Sequence, residues 1–165
     1  MSTPSHPTEQ DSLTHIDEDG RASMVDVSER EITVRTATAT GKVILSPQVI
    51  ELLRDGNVPK GDVLSAARIA AIMGAKRTPD LIPLCHPIAL HGVSVDLEIL
   101  NNGVAIEVEV RTADRTGVEM EALTAVAVAA LTVIDMVKAI DPGASISDIR
   151  IESKDGGRNG LWMRS

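Results

Sequence analysis

Residues 92–113 read GVSVDLEILNNGVAIEVEVRTA. Val93, Val95, Leu97 and Ile99 alternate with polar neighbours, as in a strand that buries one face. Asn101-Asn102-Gly103 is a turn signal and the alternation resumes at Val104, so the stretch predicts a β-hairpin. Downstream, residues 118–140 are rich in Ala, Val and Leu; they predict a long helix from about Val118 to Ile140, stopped by Asp141-Pro142. ISDIRIESK (146–154) predicts a last strand, ended by GGRNG (156–160). Upstream, ITVRTATATGKVIL (32–45) recurs with near period 2 and predicts a first strand. SPQVIELLRDG (46–56) reads as a short helix, with Ser46 as N-cap, Pro47 in the first position and Gly56 as the stop. In DVLSAARIAAIMGAKR (62–77), Asp62 caps a second helical piece whose Val63, Ala66/Ala67, Ala70 and Met73/Gly74 share a face. TPDLIPLCHP (78–87), with three prolines, reads as a rigid connector. Strand, helix in two pieces, strand, strand, helix, strand predicts an α+β, ferredoxin-like domain, a four-stranded antiparallel sheet with helices packed on one face.

The composition narrows the function. The chain has 165 residues, 43% of them hydrophobic and 24% charged, with a net charge of −8, and its single aromatic residue is Trp162. Without rings to stack bases or an excess of basic charge, single-stranded nucleic acid is excluded as a partner. One cysteine excludes an internal disulfide framework and points to a reducing, cytoplasmic compartment. There is no run of about 18 apolar residues and no apolar signal core, so no membrane span or leader is expected. Residues 1–22 read as a flexible acidic arm: Glu9, Asp11, Asp17, Glu18 and Asp19 precede the first base, Arg21, so residues 1–20 carry −5 of the −8. Residues 23–165 are expected to form one domain.

Several side chains carry candidate chemistry, each with a plainer alternative. Asp135 and Lys138 are i,i+3 neighbours, either a functional pair or an exposed helix ion pair. Lys60 stands at a helix N-terminus, where it could help hold an anion or simply be solvated. His86, between Pro83 and Pro87, reads as a positioned proton or hydrogen-bond donor, or as a structural His bonded to a backbone carbonyl. Cys85-His86 is no metal site, because a zinc centre needs about three or four protein ligands, and adjacent residues of an extended segment do not pair with each other. Gly156–Gly160 either wraps an anion with backbone N–H groups or frays. Glu121 and Asp135 fall about 40° apart around the long helix yet about 21 Å apart along it. One small substrate cannot touch both within one subunit. Either they serve two sites, or a symmetric oligomer brings the two helix ends together.

Taken together, MVDVS (24–28), KGDVLSAARIA (60–70), AKRTPDLIPLCHP (75–87), TGVEMEALTAVAVAALTVIDMVKA (116–139) and KDGGRNG (154–160) resemble the cyclic pyranopterin monophosphate synthase (MoaC) family of molybdenum cofactor biosynthesis. The resemblance runs from about Leu13 to Gly160. It implies a ferredoxin-like fold and a homohexamer, a trimer of dimers with active sites at subunit interfaces. It implies a lyase reaction on 3′,8-cyclo-7,8-dihydro-GTP, the product of a radical SAM enzyme, giving cyclic pyranopterin monophosphate and pyrophosphate. No redox cofactor is implied, and magnesium would come only as a companion of the triphosphate.

By motif, the resemblance makes Lys60, Asp135 and Lys138 catalytic. It places Leu84, Cys85, His86, Glu119, Met120 and Glu121 against the substrate, with Arg35, Lys76, Arg77, Lys154 and Arg158 as surrounding cations. Arg115 and Arg158 stand where lysine is frequent, which keeps the charge but leaves phosphate binding at those positions open. Ile134 and Val137 stand where Tyr and Cys are common. On this reading Lys60 and Lys138 move protons while Asp135 orients Lys138, and Glu119 and Glu121 accept the N–H donors of the guanine-derived ring. The competing expectation is a non-catalytic nucleotide- or pterin-binding oligomeric module, told apart by turnover.

Overall fold

The structure, a computed structural model, describes residues 19–165, so most of the acidic arm expected at 1–22 lies outside the described residues. The 92–113 hairpin forms as its alternation requires: β2 (Gly92–Ile99) and β3 (Gly103–Asp114) pair antiparallel from Gly92↔Arg111 to Ile99↔Val104. β1 (Thr33–Ile44) lies against the other side of β3 in unbroken register, Thr33↔Asp114 to Ile44↔Gly103. β4 (Ser145–Asp155) pairs with β1 through two irregularities, between Thr38 and Ala39 and between Thr40 and Lys42. All pairs are antiparallel, and the sheet order is β2-β3-β1-β4-β5. The sheet therefore has five strands and not the four expected. The addition, β5 (Trp162–Met163), is two residues long and follows the glycine-rich loop back onto β4 through Ser153↔Met163 and Lys154↔Trp162. So short a strand carries no periodicity for a sequence reading to detect.

The helices follow their punctuation. α1 (Pro47–Arg54) starts at Pro47, but Ser46 makes no side-chain cap; its N–H instead donates to Asp141 Oδ2 at 2.7 Å. That bond ties the start of α1 to the chain just after the long helix. α2 (Val63–Lys76) is capped by Asp62, whose Oδ1 accepts from Ser65 N at 3.0 Å. Its buried stripe is Val63, Ala67, Ala71, Gly74 and Ala75, rotated slightly from the expected face, so Met73 is left exposed. The connector begins with one helical turn, α3 (Thr78–Leu81), in which Thr78 is buried and its hydroxyl donates to Ala75 O. α4 (Glu119–Val137) ends three residues before Ile140, in a turn closed by Asp141 N→Val137 O at 2.9 Å.

α4 lies across β1, β3 and β4, and α2 packs beside it and over β2. Ala37, Ala39 and Val43 of β1, with Ile106, Val108 and Val110 of β3, meet Ala122, Ala125, Val126, Ala129 and Val133 of α4 in one core. The small side chains allow a close approach: a Cβ on Gly41 of β1 would stand 2.6 Å from Val126 Cγ1. Burial of these faces is the main stabilising contribution, at roughly 25 cal/mol per Å² of apolar area. By length and composition alone α4 is long and apolar enough to cross a membrane. Its place on the sheet accounts for that apolarity, since a helix covered on several sides is apolar nearly all round.

Candidate active site

Two clusters form at opposite ends of α4. At its C-terminal end, Lys60 Nζ donates to the main-chain carbonyl of Asp135 at 2.6 Å and to Asp135 Oδ2 at 3.2 Å. Lys138 Nζ lies 2.7 Å from Oδ1 of the same carboxylate. One carboxylate thus bridges two ammonium groups, at the negative end of a helix dipole that favours both cations. All three side chains are exposed. Lys138 first, and Lys60 second, hold the Asp135 carboxyl below its usual range by hydrogen bonding. The loop Asn57–Gly61 brings Lys60 to this point, with Gly61 N donating to Val58 O at 2.9 Å. Asp135 is in contact with Lys138, the partner the sequence expectation gave it, and also with Lys60, which was not expected.

At the N-terminal end of α4 lies a cleft of about 890 Å³. It brings together eight of the expected residues: Arg35, Leu84, Cys85, His86, Glu119, Met120, Lys154 and Arg158. The glycine-rich loop is part of its wall through Gly156, Asn159 and Gly160, not a frayed end. Lys154 Nζ donates to Glu119 Oε1 at 2.8 Å across the cleft. Arg35 uses Nε on the Asp114 carbonyl at 3.0 Å and one terminal nitrogen on that of Arg115 at 3.1 Å. His86 Nε2 donates to the Val25 carbonyl at 2.7 Å. A carbonyl can only accept, so Nε2 carries the proton of this bond. His86 is therefore both the carbonyl-bonded histidine and a cleft residue; the two alternatives open in the sequence are compatible.

Three expected residues lie elsewhere. Glu121 does not line the cleft. It is 1% exposed beneath it, where Cys85 Sγ donates to Oε1 at 3.4 Å and Oε2 has no hydrogen-bond partner among the described residues. Of the segment above it, the Cys85 thiol lies directly against the Glu121 carboxyl. Lys76 and Arg77 are exposed at the end of α2 and do not line the cleft of their own chain. The sequence reading missed Val25, Val27 and Arg30, which line the cleft from the segment before β1. Val25 and Val27 fall within MVDVS, read as part of a match and not as a wall, and Arg30 lies two residues beyond it.

Burial is the first cause of two shifts here. It raises the Glu121 carboxyl above its ordinary value of 4.5, and it pushes the Cys85 thiol up to about 12, with the Glu121 charge second. A raised native pKa means that the folded protein keeps this proton after the unfolded chain has lost it. Nothing is lost below pH 4.5, and the stability due to Glu121 declines as pH rises above that value. Glu121→Gln keeps the acceptor for Cys85 and removes the titration. Its urea midpoint is expected to match wild type below pH 4.5 and to exceed it once the pH rises above that value. A deficit of constant size at every pH would show that Glu121 is not held protonated. Among the described residues, no group of three or more His, Cys, Asp or Glu side chains is arranged to hold a metal ion.

Comparison with known proteins agrees with the motifs. The chain is 65% identical over 159 residues to a cyclic pyranopterin monophosphate synthase of Streptomyces avermitilis, covering 96% of this chain and 94% of that protein. It is 62% identical over 170 residues to the protein of the same name from Streptomyces coelicolor, covering 100% of both. The one from Thermomicrobium roseum is 56% identical over 154 residues, covering 92% of this chain and 93% of its own length. The sequence profile of the MoaC family matches residues 24–157, which take in the 24–28 segment, both lysines of the Asp135 cluster and the cleft as far as Gly157, and the chain belongs to that family.

Proposed function

We propose that the protein converts 3′,8-cyclo-7,8-dihydro-GTP into cyclic pyranopterin monophosphate with release of pyrophosphate. The observation that carries this is the Lys60–Asp135–Lys138 cluster, two amines on one carboxylate, in a chain whose relatives bear that enzyme's name. Opening and re-closing a purine-derived ring needs protons given and taken at nitrogen and carbon. Two amines held on one carboxylate are placed to give and take those protons. Closing the cyclic phosphate needs a substrate hydroxyl to attack the α-phosphorus, with the bond to the pyrophosphate oxygen breaking. Arg35, Lys154 and Arg158 would stabilise that leaving group. Magnesium would arrive with the triphosphate.

The two clusters sit about 24 Å apart along α4, from Glu119 to Asp135. That separation supports a symmetric oligomer in which the cleft of one protomer meets the lysine cluster of another, which the family resemblance makes a homohexamer, a trimer of dimers; Lys76 and Arg77 would join from a neighbour in the same way. The order β4-β1-β3-β2 of the four long strands, with α2 and α4 on one face, supports a ferredoxin-like reading of residues 23–165 as one catalytic domain. The lone cysteine supports a cytoplasmic setting.

The test is to supply the cyclised intermediate and follow pyrophosphate and the pterin product, with the mass of the active species measured by sedimentation. Binding without turnover would leave only a nucleotide-binding module. A fully active monomer would end the interfacial site.

A further inference from the structure

We propose that Arg115 is a positioning residue, which docks segment 25–30 onto the cleft so that Arg30 faces the substrate phosphates; this rests on the function proposed above. The Arg115 guanidinium donates from one nitrogen to the carbonyls of both Ser28 and Arg30. Arg115 itself does not line the cleft, whereas Val25, Val27 and Arg30 do. The segment is a compact turn, with Ser28 N donating to Asp26 Oδ1 at 2.8 Å and Arg30 N to Val27 O at 3.0 Å. His86 holds its other end through the Val25 carbonyl.

Arg115 is itself oriented. Its own carbonyl accepts from Arg35 at 3.1 Å, and its N–H donates to Asp114 Oδ1 at 2.7 Å. Two guanidiniums thus act in series: Arg35 on β1 clamps the Asp114 and Arg115 carbonyls, and Arg115 clamps Ser28 and Arg30. A guanidinium can bridge two carbonyls in a fixed geometry, which a single ammonium on a flexible stem reproduces only in part. The cleft-facing side chain of Arg30 makes no ion pair among the described residues, and phosphate is the anion this reaction would bring to it.

Hydrogen exchange on the full chain without ligand tests the docking. In Arg115→Ala the Ser28 and Arg30 amides are expected to exchange at least about tenfold faster, and Arg115→Lys to fall in between. Steady-state turnover tests the purpose: Arg115→Ala should raise KM about tenfold with kcat changed less than about twofold. Arg30→Ala should raise KM similarly, and the double variant should be no worse than Arg115→Ala, because an undocked Arg30 has already lost its contact. Unchanged exchange of these amides in both Arg115 variants would overturn the proposal, as would KM effects that multiply in the double variant. If the proposed reaction is absent altogether, exchange still decides whether Arg115 docks the segment, so the two failures can be told apart.

Discussion

Lys60→Ala is expected to fold as wild type does and to turn over the cyclised GTP intermediate about 10²- to 10⁴-fold more slowly, the range for loss of a positioned acid or base. The fold does not depend on this side chain. Lys60 is exposed and sits on a loop, and its ion pair with Asp135 is a solvated one, of a kind that contributes about 0–1 kcal/mol. The melting temperature should therefore move by only a few degrees. What the substitution removes is one of two amines held on a single carboxylate. Lys60→Arg is not expected to rescue, because a guanidinium keeps its proton throughout the working pH range and cannot act as a base. Lys138→Ala should fail comparably, and the double variant should be little worse than either single one, since members of a catalytic unit are not additive. Turnover of Lys60→Ala within about threefold of wild type would remove Lys60 from proton transfer.

The second large effect concerns the glycine-rich wall of the cleft. Gly156 has φ of +94°, and a Cβ there would stand 2.2 Å from the Val34 carbonyl oxygen on β1. Gly160 also has positive φ, +59°, but a Cβ there meets nothing within 4 Å. Gly160→Ala therefore isolates the conformational cost, about 1–2 kcal/mol. Gly156→Ala carries a similar cost and a backbone collision as well, which relaxes only if the loop leaves β1 near Arg35. We expect Gly156→Ala to lose at least about 3 kcal/mol in chemical denaturation, and to bind substrate more weakly even where it remains folded. Equal stability of the two variants would mean that the loop yields without disturbing β1.

Local patterning explains how far the sequence could be read. The hairpin and β1 were legible because one face of each is buried and the other polar, which writes period 2 into the residues. Asp62 was legible as a cap because capping is settled within three residues. Ser46 was not, because its partner Asp141 lies far along the chain. Lys60 and Asp135 were each named, but their contact joins positions 75 apart, and no spacing rule reaches that far. Glu121 and Asp135 share a helix face by angle, yet one is 1% exposed and the other 59%. Angle fixes direction; what covers each turn is set by the rest of the fold, and at Glu121 the Cys85 thiol lies against the carboxyl. The Arg115 clamp escaped notice because it acts through main-chain carbonyls, which every residue type offers.

The two-residue β5 pairs Trp162, the only Trp, Tyr or Phe of the chain, with Lys154, which lines the cleft, and the Arg164 guanidinium stands 5.8 Å from the Trp162 ring. With no Tyr or Phe anywhere, the interior is optically silent. Intrinsic fluorescence therefore watches one short edge strand beside Lys154, while far-ultraviolet dichroism watches α4 and the sheet. A ligand that displaces Lys154 should change the emission without any change in the core. In an unfolding titration the two signals need not coincide, and an early fluorescence change would mark the release of β5, not a partly folded core.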